Sequence, residues 1–370
     1  MQTRRLFLLL LVFALTGCTS TPSNSAPSPS AVRTYNGTAS VGDFLNITLD
    51  PVALTLTYTD VSNGTTGVVP YTVNSDGTYT LNDPNNNLVA AYEVPNYALL
   101  VQANKTGPTK DVPALVTAVE SGQISLTTFE GNTYNYMQFR TAAGGVEAGS
   151  VVIGNDASIT NSSYWPFGAI NGDGPFHSSS WSASGAVADA SGTFLKIPDP
   201  GGSGAFDYVF GTGNGIFAVD TPSGAILGLQ QAASKDFDPT FAGTYKAIYY
   251  QKTGATTGQN NAEFGTPSLG NATLTITSAG QVTVQDLLGN TLVQQVTLVP
   301  VADAAYLYGS NGELANPCWG LFTFRISTAN TQQDVFVSFM NRAVLFSSFE
   351  TSLPLTPNNT YNYLYGVGLK

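Results

Sequence analysis

The chain has 370 residues with 13 Lys+Arg against 24 Asp+Glu, one His and a net charge of −11, and only 10% of its residues are charged, where globular domains carry about 25%. An acidic chain with no run of Lys or Arg lacks the counterion release that drives nucleic-acid binding, and a single His excludes a polyhistidine metal centre or a two-His relay. Hydrophobic residues make up 42%, enough for a packed core, so disorder is a poor description of most of the sequence.

Met1–Ser30 has the three-part form of an export signal. Arg4 and Arg5 form a positive n-region, and Leu6–Ala14 is a run of nine apolar residues, too short for the roughly 20 that cross a bilayer as a helix. Leu15-Thr16-Gly17-Cys18 follows directly and resembles the lipobox of bacterial lipoproteins. The resemblance implies a signal peptide over 1–17, cleavage before Cys18 and acylation of that residue. Loss of Arg4 and Arg5 would leave 11 Lys+Arg against 24 Asp+Glu in 353 residues, a net charge of −13. Acyl chains, at ~0.8 kcal/mol per buried CH₂, would then hold the protein to its membrane without electrostatic help. Thr19 stands where Asp would imply retention in the inner membrane of enteric-type bacteria, so the resemblance implies the outer membrane or cell surface. Thr3-Arg4-Arg5-Leu6-Phe7-Leu8 also resembles the twin-arginine export motif; the short n-region and strongly apolar core favour the general secretory route. Residues 18–33 are read as a flexible tether, because the Ser, Pro, Thr and Asn that fill Thr19–Ser30 bury too little surface to offset ordering entropy.

From Thr34 onward the dominant period is two. Val52, Leu54, Leu56 and Tyr58 alternate with Ala53, Thr55, Thr57 and Thr59, which puts an apolar row and a Thr-rich row on opposite faces of a strand. The pattern returns in Leu274–Thr277, Val282–Val284, Asp334–Phe339 and Arg342–Phe349. Turn residues punctuate these runs at Asp50-Pro51, Asn63-Gly64, Asn74–Gly77, Ser278–Gly280, Gly289-Asn290 and Ser310–Gly312. Asp111–Gly122 reads equally as a helix capped by Asp111 or as a strand through Val112, Val116 and Val119. Gln230–Pro239 reads as a connector. The expected fold is therefore all-β, with two antiparallel β-barrel or β-sandwich domains over 34–233 and 234–370. Gly42-Asp43-Phe44 and Gly243-Thr244-Tyr245 each open a strand series, and this start resembles lipocalin-type (calycin) β-barrels, whose first strand carries Gly-x-Trp; Phe44 and Tyr245 stand in the Trp place. The resemblance implies up-and-down strands and transfers no binding residue. Asn132–Tyr136 recurs as Asn359–Tyr363, but the two pairs of landmarks differ in offset, 201 against 227.

The aromatic stretch Asn161–Trp181 holds Tyr164, Trp165, Phe167, Phe176, His177 and Trp181 among Asn, Gly and Ser. Ring faces with adjacent amides and hydroxyls suit flat recognition of sugars or aromatic groups, so Tyr164, Trp165, Phe167, His177 and Trp181 are the candidate ligand-binding residues. The alternative is that these rings plug a barrel end or seal a contact between domains. No Gly-x-Ser-x-Gly elbow accompanies His177, and no catalytic residue is assigned. A carboxylate-pair hydrolase is the remaining enzyme class, though Asp50, Asp76, Asp83, Asp173 and Asp220 sit beside turns, where Asp caps backbone N–H groups. Asp83–Asn87, Asn171–Gly174 and Asp236–Asp238 do not fit a calcium loop. Gly211–Gly215 opens into Ile216–Val219, a strand, and so offers no helix N-terminus for phosphate. No metal or cofactor is expected. Cys318, left without an intrachain partner if Cys18 is acylated, is expected to be buried beside Trp319 and Leu321.

These observations describe a lipid-anchored, extracytoplasmic protein acting as a non-catalytic binding or structural module of the envelope, with a small apolar ligand, a glycan or an envelope protein as partner. The alternative is a surface protein that binds or processes glycans. Cys18→Ser is expected to abolish incorporation of labelled fatty acid and to move the protein from the membrane fraction to the soluble fraction; unchanged labelling would refute the lipobox.

Overall fold

The structure is a computed structural model that describes residues 31–82, 88–104, 113–140, 146–156, 158–166, 181–183, 185–198, 205–213, 215–256, 265–307, 318–353 and 360–370. The fold is all-β and is built from three consecutive antiparallel sheets. The first comprises β1 (Arg33–Ala39), β2 (Phe44–Asp50), β3 (Thr55–Asp60), β4 (Thr65–Val73), β5 (Tyr79–Asn82), β6 (Leu88–Val94), β7 (Ala98–Asn104) and β8 (Pro113–Glu120). Each strand pairs with the next, and β8 pairs back with β1 from Tyr35↔Glu120 to Ala39↔Val116, which closes an eight-stranded up-and-down barrel.

The second sheet runs through β9 (Thr133–Arg140), β10 (Val146–Ile153), β11 (Ser158–Pro166), β12 (Trp181–Ser182), β13 (Val187–Ala188), β14 (Leu195–Pro198), β15 (Phe206–Thr212), β16 (Ile216–Thr221) and β17 (Gly224–Gln230). The third runs through β18 (Gly243–Thr256), β19 (Thr266–Ile276), β20 (Gln281–Gln285), β21 (Thr291–Thr297), β22 (Val299–Pro300), β23 (Leu321–Ser327), β24 (Thr331–Met340), β25 (Ala343–Ser352) and β26 (Thr360–Leu369). In both sheets the first strand pairs with the last, and the fourth and fifth strands are the two edges. The expected 34–233 segment holds the first two sheets and 234–370 the third. Residues 121–132 join the first sheet to the second through a short 3-10 turn at Leu126–Thr128; nine of the twelve are Gly or polar, with Ile124, Leu126 and Phe129 the apolar ones.

Several sequence expectations resolve in physical terms. Asp111 and Val112 lie outside the described residues, but 113–120 is the strand β8. Its interior row Ala114, Val116 and Ala118 and its exterior row Leu115, Thr117 and Val119 are both buried, and a strand covered on both faces shows no alternation to tell it from a helix. The alternation at Val52–Tyr58 begins too early. The Asp50 carboxylate accepts from the N–H groups of Val52 and Ala53 at 2.8 and 2.9 Å, making a turn that leaves Val52 exposed and Leu54 at φ +54°. Phe44 opens β2, not the first strand, and points out of the barrel. Asn132–Tyr136 leads into the first strand of the second sheet, whereas Thr360–Tyr363 begins the last strand of the third, so the repeated pentapeptide occupies inequivalent places in two sheets of the same strand order.

Inside the first barrel Glu93 accepts four hydrogen bonds. Arg33 donates through Nε (2.6 Å) and Nη2 (2.9 Å), and Tyr35 and Tyr79 donate their hydroxyls at 2.5 Å each. The Arg33 and Glu93 side chains are 7% and 0% exposed. Burial, reinforced by the Glu93 charge, lifts both phenols well above their ordinary range. A buried pair of this kind is strongly destabilising to break, by about 3–5 kcal/mol, because the survivor keeps an uncompensated charge. It pins the first residue of β1.

The barrel's exterior packs on the second sheet through Phe44, whose ring stacks on Tyr208 at 4.7 Å and contacts Phe194 and Phe210 at 4.7 and 5.3 Å. At this seam Gly42 holds φ +90°, and a Cβ there would lie 2.6 Å from the Pro222 backbone, so only glycine fits. Thr38 donates to Asp220 at 2.6 Å. Burial first, and then the nearby carboxylates of Asp43, Asp207 and Asp60, raise the Asp220 pKa well above the ordinary carboxylate value, against the Thr38 hydrogen bond. A raised folded-state pKa means that the stabilisation is complete below about pH 4 and is lost as pH rises through the folded value. Asp220→Asn, which keeps the Oδ1 acceptor, is expected to raise the thermal midpoint at pH 8 and leave it nearly unchanged at pH 4; equal shifts at both pH values would refute a charged cost at this seam.

Candidate functional site

The structure scatters the sequence-predicted aromatic residues. Trp165 is buried in β11; its indole N–H donates to the Leu307 carbonyl at 3.2 Å and its ring meets Phe336 at 5.5 Å. It therefore joins the second sheet to the third. Tyr164, its half-buried neighbour, has its phenol raised by burial and by Glu147. Phe167, Phe176 and His177 lie outside the described residues, and Trp181 is described as the backbone opening β12, where it pairs with Ile159. Cys318 is buried as expected, at φ +49°. Burial pushes its thiol up to about 12, opposed by hydrogen bonds to Ser163 and Ser150. Among the described residues no group of three or more His, Cys, Asp or Glu is placed to hold a metal ion.

The third sheet carries the site that sequence reasoning missed. Its strands curl so that one face encloses an interior, and the two ends of that interior differ. At one end Phe237, Phe241, Phe322 and Phe339 pack ring against ring with centroid separations of 5.5–6.1 Å, and Tyr245 joins them at 6.3 Å from Phe339. This end is sealed. At the other end Leu274, Val284, Val293, Phe324, Ile326, Val335, Val337 and Leu364 line an open cavity of about 200 Å³. The polar lining side chains are Tyr249, Gln333 and Ser348, with Gln333 donating to the Ser348 hydroxyl at 2.9 Å, and the rest of the wall is hydrocarbon.

Glycines set the walls. Tyr249 pairs with Gly270 on β19 and with Gly366 on β26, and Phe346 pairs with Gly366 from the other side. A Cβ at Gly270 would lie 2.1 Å from the Tyr249 ring, and one at Gly366 would lie 2.3 Å from the Phe346 ring. Both rings lie flat on glycine backbone and leave the space between the strands open.

The opening follows from the chain path. β21 runs directly into β22 at Leu298, β22 pairs with β23 only at Phe322 and Thr323, and β21 and β22 are the two sheet edges. Leu292 on β21 and Ile326 on β23 border the gap. The β20–β21 turn stands at this open end, closed by bonds to the Asp286 carboxylate from the N–H groups of Leu288 and Asn290 at 2.9 and 2.8 Å. Its Leu287, Leu288 and Leu292 are 64%, 88% and 52% exposed. Two adjacent leucines, Leu287 and Leu288, placed just before Gly289-Asn290 are the sequence signal for this site.

No protein-family model matches the chain, and no curated protein matches it. Solved structures resembling it include a transferrin-binding protein B mutant from Haemophilus parasuis, at 7% identity over 92% of this chain and 77% of that one, TM-score 0.23. Another is transferrin-binding protein B of serogroup B Neisseria meningitidis, at 9% identity over 92% and 77%, TM-score 0.22. Superpositions this loose carry no functional argument.

Gly366→Val is expected to drive the Phe346 ring into the cavity and lower stability by about 1–3 kcal/mol, the usual cost of overpacking. Chemical denaturation measures this, and an unchanged midpoint would show that the wall is not set by glycine.

Proposed function

We propose that this protein is a lipid-anchored, extracytoplasmic binding protein that holds a small apolar ligand in the third sheet, without catalysis. The observation that carries the reading is the half-sealed interior: rings close one end, aliphatic side chains line the other, and the gap between β21 and β23 admits a ligand from solvent. A core that served packing alone would be filled, because interiors reach crystal-like density with few voids larger than a water molecule. At about 200 Å³ the cavity exceeds the roughly 150 Å³ of an engineered apolar cavity that takes up benzene, so it accommodates a branched or ring hydrocarbon, or the terminal methylenes of an acyl chain. The lipobox at Cys18 supports placement at a membrane outside the cytoplasm, where such molecules are at hand. The amide-poor, carboxylate-free lining gives no support to glycan chemistry inside this cavity.

The mature chain carrying Cys18→Ser, free of its acyl groups, is expected to bind an environment-sensitive naphthalene dye with 1:1 stoichiometry and to release it to decanol. Ile326→Trp, which covers the mouth without adding volume to the packed end, is expected to weaken binding at least tenfold while leaving the circular dichroism spectrum unchanged. Dye binding that decanol does not displace, or that Ile326→Trp leaves intact, would refute the cavity as the site.

A further inference from the structure

Between the first barrel and the outer face of the third sheet lies a second, larger space of about 700 Å³, whose walls mix polar side chains with apolar ones such as Val89, Tyr92 and Leu287. Asn74, Asp76 and Gln102 face it from the barrel; Lys246, Asn271 and Gln285 face it from β18, β19 and β20. Several of these side chains are already held in place. Lys246 donates to the Asp76 carboxylate at 2.7 Å and to its carbonyl at 2.8 Å, Gln102 donates to Asn271 Oδ1 at 3.1 Å, and Asn74 donates to the hydroxyls of Thr78 and Thr80 at 2.9 and 3.1 Å. Preorganised amides and hydroxyls in a concave space are what fixes the orientation of a hydroxyl-rich ligand. Asp76 and Asp286 outnumber Lys246 on these walls, so an anionic headgroup such as a phosphate is disfavoured and an uncharged one is favoured.

This groove and the apolar cavity share a wall. Gln285, Asp286, Leu287 and Gly289 border the groove, Val284, Leu292 and Val293 border the cavity, and Ala272 borders both. The β20–β21 turn is the rim between them, and Leu287 and Leu288 stand exposed on it. We propose that the two spaces hold the two parts of one amphiphile, an acyl chain in the third sheet and an uncharged, polyhydroxylated headgroup in the groove, with the molecule bent over the Asp286–Asn290 turn: the chemistry of a neutral glycolipid. The rim leucines then cover the methylenes that cross between the two spaces. The proposal rests on the reading of the cavity as an apolar-ligand site and names the head that goes with that tail.

Matched probes separate the two claims. Decyl maltoside below its micelle concentration, decanol and maltose are titrated calorimetrically into the mature Cys18→Ser chain. Decyl maltoside is expected to bind at least tenfold more tightly than decanol. Asn271→Leu, or Thr273→Val on the same β19 wall of the groove should Asn271→Leu fail to fold, is expected to bring decyl maltoside down to the decanol affinity without changing decanol itself, whereas Ile326→Trp weakens both. If decanol binds and decyl maltoside binds no more tightly, the headgroup proposal is overturned and the cavity stands. If decanol does not bind, the cavity reading falls and this proposal with it.

Discussion

Strands that are apolar on both faces must be covered on both, and the arrangement of the three sheets follows from that requirement. The inward row of β8 fills the first barrel while its outward row, Leu115 and Val119, enters a core shared with the other sheets. On β9, Tyr134 packs against Phe217 within the second sheet, and Phe139 on the opposite face meets Tyr250 and Tyr365 of the third at 4.9 and 6.0 Å. On β26, Tyr363, Tyr365 and Val367 turn to the shared core and Leu364 to the interior of its own sheet. Each fully buried Phe or Leu contributes on the order of 1.5–3 kcal/mol, so separating the sheets would expose a large apolar area on all three.

A small set of polar contacts across these seams gives the packing its register. Thr38 to Asp220, Asn36 to the Thr193 carbonyl (2.8 Å), Trp165 to the Leu307 carbonyl and Asn135 to the Trp319 carbonyl (2.8 Å) each tie one sheet to another. A buried donor left without its acceptor costs about 1–3 kcal/mol, so a shifted docking of the sheets would be penalised at several points at once. Glu93 does the same within the first barrel, where four donors converge on one carboxylate and fix how β1 meets β5 and β6.

Much of the outer face of the third sheet is committed to the shared core, the rest bordering the groove against the first barrel, and the inner face is where the apolar cavity lies. The ring cluster seals one end because Phe237 and Phe241, from the connector before β18, fold in beneath Phe322 and Phe339. The other end stays open because β21 turns into β22 at Leu298 without pairing with it, and because Gly270 and Gly366 let Tyr249 and Phe346 lie flat against the wall. The second sheet has the same strand order, but Phe129, Tyr134 and Phe217 pack their rings together within it.

The all-β architecture, five of the hairpin turns, the strand periodicity of the third sheet and the burial of Cys318 were legible from residue types alone, because period-two alternation, Asn-Gly and Asp-Gly turns and an unpartnered Cys beside apolar residues are local signals. The division between the first and second sheets was not, since the Gly and polar residues of 121–132 are interrupted by Ile124, Leu126 and Phe129, two of them buried, and β8 has no alternation to mark it as a strand. The apolar rows of Leu274–Ile276, Val282–Val284 and Val335–Val337 were visible as rows, but a row of valines reads the same whether it meets another row or faces a void. Trp165 belonged to a conspicuous aromatic cluster in sequence, yet its partners, Leu307 and Phe336, stand 142 and 171 residues further along the chain. Local sequence thus determined strands and turns, because those depend on neighbours a few residues apart; tertiary structure decided which faces meet and where they fail to meet, because a cavity is a property of distant rows brought opposite one another.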